Sequence, residues 1–157
     1  MTFSRFAIFL ALSWLTAAPA QAKPFFVVQL PDLECWGIIR PNVAPDTFMV
    51  RVTNNGNATA PSTWLDVFTS TNSAEVRELQ LGDTSDTYVR TKQLAPGQSV
   101  EYTFPIPIDV LDDALQQQYP MVYEACIVDT YNRVSEWSEE DNVGWWYDQI
   151  FPDLLDD

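Results

Sequence analysis

The chain has 157 residues, 46% of them hydrophobic, with 8 Lys plus Arg against 22 Asp plus Glu and no His. That much apolar content argues against disorder and suits one domain with a real core. A net charge of −14 repels phosphate backbones and anionic lipid heads, so nucleic acid and membrane surfaces are poor partners, while metal cations or basic surfaces are favoured.

The first 22 residues read as a separate object. Arg5 precedes the apolar run Phe6 to Leu15, and Ala20-Gln21-Ala22 has the small-x-small form of a cleavage site. The run is too short to span a bilayer, so a secretory signal peptide with cleavage after Ala22 is expected, and with it an exported, periplasmic or extracellular location without membrane insertion. All 22 acids follow that site while Arg5 precedes it, so the processed chain carries 7 − 22 = −15.

Cys35 and Cys126 remain. In an exported chain an even pair suggests a disulfide, here closing a loop of 126 − 35 = 91 residues, although two buried thiols are the alternative. A loop of that size is worth about 4 to 5 kcal/mol on chain-entropy grounds.

Beyond residue 30 the chain reads as short strands between turn residues. Phe48, Val50 and Val52 alternate with Met49, Arg51 and Thr53, the period of a half-buried strand, and Asn54-Asn55-Gly56-Asn57 ends it. Trp64 to Thr69 is a second apolar run, Val89 marks a short third, and Leu94-Ala95-Pro96-Gly97 is a turn. Val100, Tyr102, Phe104, Ile106 and Ile108 then share one face, and Pro105 and Pro107 remove donors from one side, which predicts an edge strand or a run-off. In "DVLDDALQQQY" Asp109 can cap, and Leu111 and Leu115 fall at i, i+4, predicting a short helix. Tyr123 to Val128 is another strand, with Val143, Trp145 and Tyr147 as its partner. The pattern predicts an all-β fold, an immunoglobulin-like antiparallel sandwich of about seven strands with one helical insert, over residues 23–150, followed by an acidic tail at 151–157. Val50, Val52, Val100, Tyr102, Phe104 and Tyr123 are expected in its core. Cys126 lies three residues from Tyr123 and so should face away from it, which would put the bridge across an outer face.

Several pieces together resemble a known family: "PDLECWGIIRP" (31–41), "VRVTNNGNATAPSTWLDVF" (50–68), "QLAPGQSVEYTFPI" (93–106), and "VDTYNRVSEWSEEDN" (128–142), the last carrying Asp129, Asn132, Val134, Glu136, Glu139, Asp141 and Asn142. This set is similar to the CARDB domain, the cell-adhesion-related domain found in bacteria, over about residues 31–147. The resemblance implies a seven-stranded immunoglobulin-like sandwich on an exported protein, a binding or adhesion module, and no catalytic residues.

The chemistry-bearing residues agree with a non-enzymatic reading. Without His, neither a Ser-His or Cys-His nucleophile nor a His-bound zinc can be assembled, and two cysteines are too few for zinc. Carboxylate pairs for glycoside hydrolysis could come from Glu136 with Glu139 or Asp66 with Glu101, but acids are so abundant that such pairs arise by chance. Residues 128–142 leave two readings open. In the first they form a turn, with Asp129 and Asn132 accepting local backbone N–H groups. In the second, Asp129, Asn132, Glu136, Glu139 and Asp141 hold calcium, the one cofactor considered. A helix-loop-helix calcium loop counted from Asp129 fails, because Tyr131 and Arg133 occupy its third and fifth positions. Trp137, Trp145 and Trp146 form a candidate aromatic patch for a protein or glycan ligand at the cell envelope. Trp145 and Trp146 must point to opposite faces of an extended strand.

Overall fold

The computed structural model describes residues 27–38, 46–80, 82–118 and 120–149. The expected signal peptide, 1–22, and acidic tail, 151–157, lie outside them. Seven strands and two short helices follow in the order β1 (Leu33–Gly37), β2 (Thr47–Asn54), β3 (Trp64–Ser70), α1 (Ser73–Arg77), β4 (Thr87–Arg90), β5 (Ser99–Pro105), α2 (Ile108–Leu115), β6 (Met121–Val128) and β7 (Val143–Gln149). They form a three-stranded sheet, β1-β2-β5, and a four-stranded sheet, β4-β3-β6-β7, with every pairing antiparallel. Among the described residues no helix is long and apolar enough to cross a membrane.

Period-two alternation builds the core between the sheets. Phe48, Val50 and Val52 from β2 and Phe104 from β5 meet Leu65 and Val67 from β3 and Val122, Cys126 and Val128 from β6. Val100 and Tyr102 pack against this core but remain partly buried. β5 is an edge strand, and its pairing ends at Pro105, as the two prolines require. Beyond it Ile106 still enters the core, and α2 adds Leu111 and Ala114. Asp109 lies in the first turn of α2 and does not cap it. Pro107 occupies that position, with no side-chain cap.

Turn residues act as their chemistry dictates. Asn54 is fully buried, and its amide group donates to the Ala58 and Leu94 carbonyls and accepts from the Asp32 and Gly56 N–H groups. One side chain thus ties three loops, which satisfies every polar atom it carries into the interior. Gly97 has a φ of 73° and closes the Leu94-to-Gly97 turn, a conformation that costs other residues a clash at Cβ.

The structure also corrects the expectations about β6 and about the helices. Tyr123 does not face the sheet interface. It packs with Phe68, Val76, Ala125 and Ile127 in a second cluster on the outer face of the four-stranded sheet, beneath α1. The apolar run of β6 is buried on both faces, so periodicity alone could not choose between them. Because Tyr123 is outward, Cys126 three residues on is inward, and the disulfide with Cys35 crosses the core between β1 and β6 and not an outer face. The second correction is α1, which makes two helical inserts and not one. Asn72 caps it by accepting from the Ala74 N–H, and Glu75 accepts from the Ser70 hydroxyl.

Candidate functional site

Residues 128–142 leave β6, fold back across the end of the sandwich and enter β7. Asp129 begins the turn with a φ of 53°, and Asn132 follows with 46°, the left-handed region that Asp and Asn tolerate better than most residues. The Asp129 carboxylate is fully buried. It accepts from the Thr63 hydroxyl at 2.5 Å and from the Val134 N–H at 2.7 Å, while the Asp129 N–H donates to the Trp64 carbonyl at 2.8 Å. A single side chain therefore fixes the turn to the start of β3 and returns Val134 to the interior. Asn132 contributes its positive φ and its own N–H, which donates to the Asp129 carbonyl.

The returning chain is bound to the start of β1. Glu136 Oε2 accepts from the Leu33 N–H, the Trp137 N–H donates to the Pro31 carbonyl, and Asp32 accepts from the Ser138 N–H. Glu139 accepts from the Glu136 N–H and from the Asn142 side-chain amide. Burial and the neighbouring Glu139 and Asp129 charges push the Glu136 carboxyl up to about 8, against the lowering effect of the bond from Leu33.

Of the five residues considered for calcium, Asp129, Glu139 and one oxygen of Glu136 are occupied with backbone and neighbours. Among the described residues no group of three or more His, Cys, Asp or Glu side chains is arranged to hold a metal ion. Three buried oxygens in the segment, Glu136 Oε1, Asp141 Oδ1 and Asn142 Oδ1, do lack a hydrogen-bond partner among the described residues. Their chemistry suits a hard cation.

The tryptophans separate as alternation demands. Trp146 turns inward, 6.3 Å from the Phe48 ring, and lies so close over Gly37 that a Cβ there would sit 2.1 Å from it. Trp145 faces outward, 42% exposed, with the Arg77 guanidinium of α1 4.3 Å above its ring. Trp137 is exposed in the loop. Neither proposed carboxylate pair has a catalytic form. Asp66 and Glu101 lie on the outer faces of opposite sheets, and Glu136 Oε2 is held by the Leu33 N–H.

A feature that the sequence reading missed lies on the outer face of the four-stranded sheet. Trp64 and Asp66 of β3 floor a groove of about 550 Å³, walled by Ser85 and Tyr88 on one side and by Tyr131 and Arg133 of the turn on the other. The signal was present in β3, where Trp64 and Asp66 alternate with the inward Leu65 and Val67.

The CARDB family model matches residues 30–144, well over half the chain. The chain belongs to the CARDB family. Among solved structures it is similar to a CARDB domain from Pyrococcus furiosus, crystallised in complex with di-metal ions, at 23% identity and a TM-score of 0.51, covering 79% of this chain and 96% of that one. It is also similar to a domain of a candidate cell surface protein from Methanosarcina acetivorans, at 17% identity and a TM-score of 0.53, covering 78% of this chain and 94% of that one. No curated protein matches. At these identities the neighbours establish the sandwich fold, and in this CARDB domain Tyr131 and Arg133 of the segment 128–142 wall the groove.

Proposed function

We propose that this CARDB domain is an exported, non-enzymatic binding module of adhesion type, whose partner, protein or glycan, resides at the cell envelope. The observation that carries the reading is the open groove flanked by Tyr88 and Tyr131, 64% and 60% exposed, beside the nearly buried Asp66. Its volume lies in the range of ligand sites, and exposed aromatics beside a few fixed polar groups are what recognition surfaces use. The strongly perturbed carboxyls, Glu124 and Glu136, lie outside that groove, which argues against acid–base catalysis in it. The disulfide suits an oxidising compartment, in keeping with export.

The test is saturable retention of the labelled full chain on cell-envelope fragments. Retention should be competed by unlabelled protein and weakened by Tyr131→Ala. Non-saturable retention, or turnover of the envelope polymer into soluble fragments, would overturn the reading.

A second reading, a calcium-stabilised structural domain, draws support from the three unpartnered oxygens and from the di-metal complex of the Pyrococcus furiosus neighbour. It requires a calcium-dependent rise in the unfolding midpoint, of about 2.7 kcal/mol at a hundredfold excess over the dissociation constant. A midpoint equal in chelator and in calcium removes it.

A further inference from the structure

We infer that the groove on the outer face of the four-stranded sheet is a binding site for a neutral oligosaccharide. The inference rests on the binding-module reading and names the ligand class of that site. The topology makes the groove a built feature. β3 lies between β4 and β6 in the sheet, so its outward Trp64 and Asp66 form a floor. Tyr88 stands directly across from Asp66 in the β3–β4 register, and Tyr131 rises on the other flank from the turn that follows β6. Asp129 holds that second wall in place through Thr63 and the Trp64 carbonyl.

The side chains match the two-sided chemistry of a pyranose, which has C–H faces and a rim of hydroxyls. Trp64 and Tyr88 meet edge to face at a centroid distance of 5.4 Å, an arrangement that covers at most one face of either ring. An open ring face can stack on the C–H face of a sugar. Asp66 is 7% exposed, and its side chain has one hydrogen bond among the described residues, from the Ser85 hydroxyl at 3.3 Å. An ionised carboxylate has about four acceptor sites, so most of its capacity is left for hydroxyl donors entering the groove. Arg133 supplies donors on the opposite wall.

Charge selects among the ligands that such a groove could take. Asp66 and Asp83 against Arg133 leave the lining nearly balanced, while the chain as a whole carries −14, which disfavours sulfated or sialylated glycans. A basic peptide would gain from that charge, but inside the groove the Arg133 guanidinium already lies 5.1 Å over one side of the Tyr131 ring, where an incoming cation would meet like charge. A neutral sugar needs neither adjustment.

The test uses the full chain, purified with its disulfide intact, on an array of neutral hexose and N-acetylhexosamine oligosaccharides, sialylated and sulfated ones, and a lysine-rich peptide. Selective binding to neutral members is expected, nearly independent of salt. Tyr88→Ala and Tyr131→Ala should each weaken it about tenfold, near the upper limit of one aromatic contact, with the unfolding midpoint unchanged. Preference for the peptide or for the anionic glycans, with steep salt dependence, would overturn the assignment. So would neutral binding that survives the double tyrosine variant, which places the sugar elsewhere. Envelope retention without binding to any oligosaccharide would overturn this inference alone, and loss of both would overturn the binding-module reading with it.

Discussion

Asp129 carries the turn because it performs two tasks that separate experimentally. Its carboxylate satisfies the Thr63 hydroxyl and the Val134 N–H, and its backbone occupies the left-handed region at a φ of 53°. Asp129→Ala abandons both, leaving two buried donors unpaired and removing the polar side chain that helps Asp tolerate the left-handed region. Charge-assisted bonds and left-handed strain together put the loss at about 3 to 4 kcal/mol. Asp129→Gly keeps the conformation without strain and should be about 1 kcal/mol milder at the φ-dependent part. Chemical denaturation of both variants checks this, and an alanine loss below about 0.5 kcal/mol would remove Asp129 from the role. The turn was legible from the sequence because Asp and Asn announce positive φ and local acceptors. The partner Thr63 was not, since it lies 66 residues away and only the β3–β6 pairing brings it near.

At the scale of elements, alternation was informative wherever one face of a strand is wet. β2 and β5 show the inward Phe48, Val50, Val52 and Phe104 that their spacing predicts. It failed for β6, whose outer face is covered by α1, so that both Tyr123 and Cys126 sit in apolar surroundings. The helix itself had a readable signal, Asn72 followed three residues later by Glu75, the spacing of a capping box, hidden by a length of only five residues. The groove escaped because its residues come from four separated stretches. β7 offers a direct test of alternation. Trp146→Ala empties a core position and should cost about 3 to 5 kcal/mol, whereas Trp145→Ala, on the outer face beneath Arg77, should cost about 1 kcal/mol or less. Equal losses would mean that both faces of β7 are core. Across the sheets, the Cys35–Cys126 bridge joins β1 to β6 over a separation of 91 residues, and Gly144 lies so close to Cys35 that a Cβ there would meet its carbonyl oxygen at 2.2 Å. Reduction should therefore lower stability by about 4 to 5 kcal/mol, by loop closure, without changing the sheet signature in circular dichroism. Oxidised and reduced chains with the same denaturation midpoint would show that the bridge contributes nothing.

The molecule as a whole combines a strongly acidic surface with a carboxyl in its interior, and both make folding depend on pH in the same direction. Glu124 lies on the inward face of β6 between Val122 and Cys126. It is fully buried, and neither carboxylate oxygen has a hydrogen-bond partner among the described residues. Burial above all, and then the Asp148 charge, push its carboxyl up from 4.5 to about 9. The Trp146 indole pulls the other way without completing a hydrogen bond. Asp148 is itself raised by burial. Below about 4.5 the folded and unfolded chains both hold the Glu124 proton, and the group has no effect on the slope. Between 4.5 and about 9 the folded chain keeps a proton that the unfolded chain has released, so stability falls as pH rises, by at most about 1.4 kcal/mol per pH unit from this one group. Glu136, raised to about 8, adds to the same slope, as does the repulsion among surface acids. Glu124→Gln isolates the interior contribution because it keeps the shape and removes the proton. Its unfolding midpoint should match the parent's pH dependence near pH 4 and fall less steeply above it, so that the variant gains on the parent toward pH 8. Parallel curves across that range would mean that Glu124 titrates alike in the folded and unfolded chains, and the buried carboxyl would then have no hold on the fold.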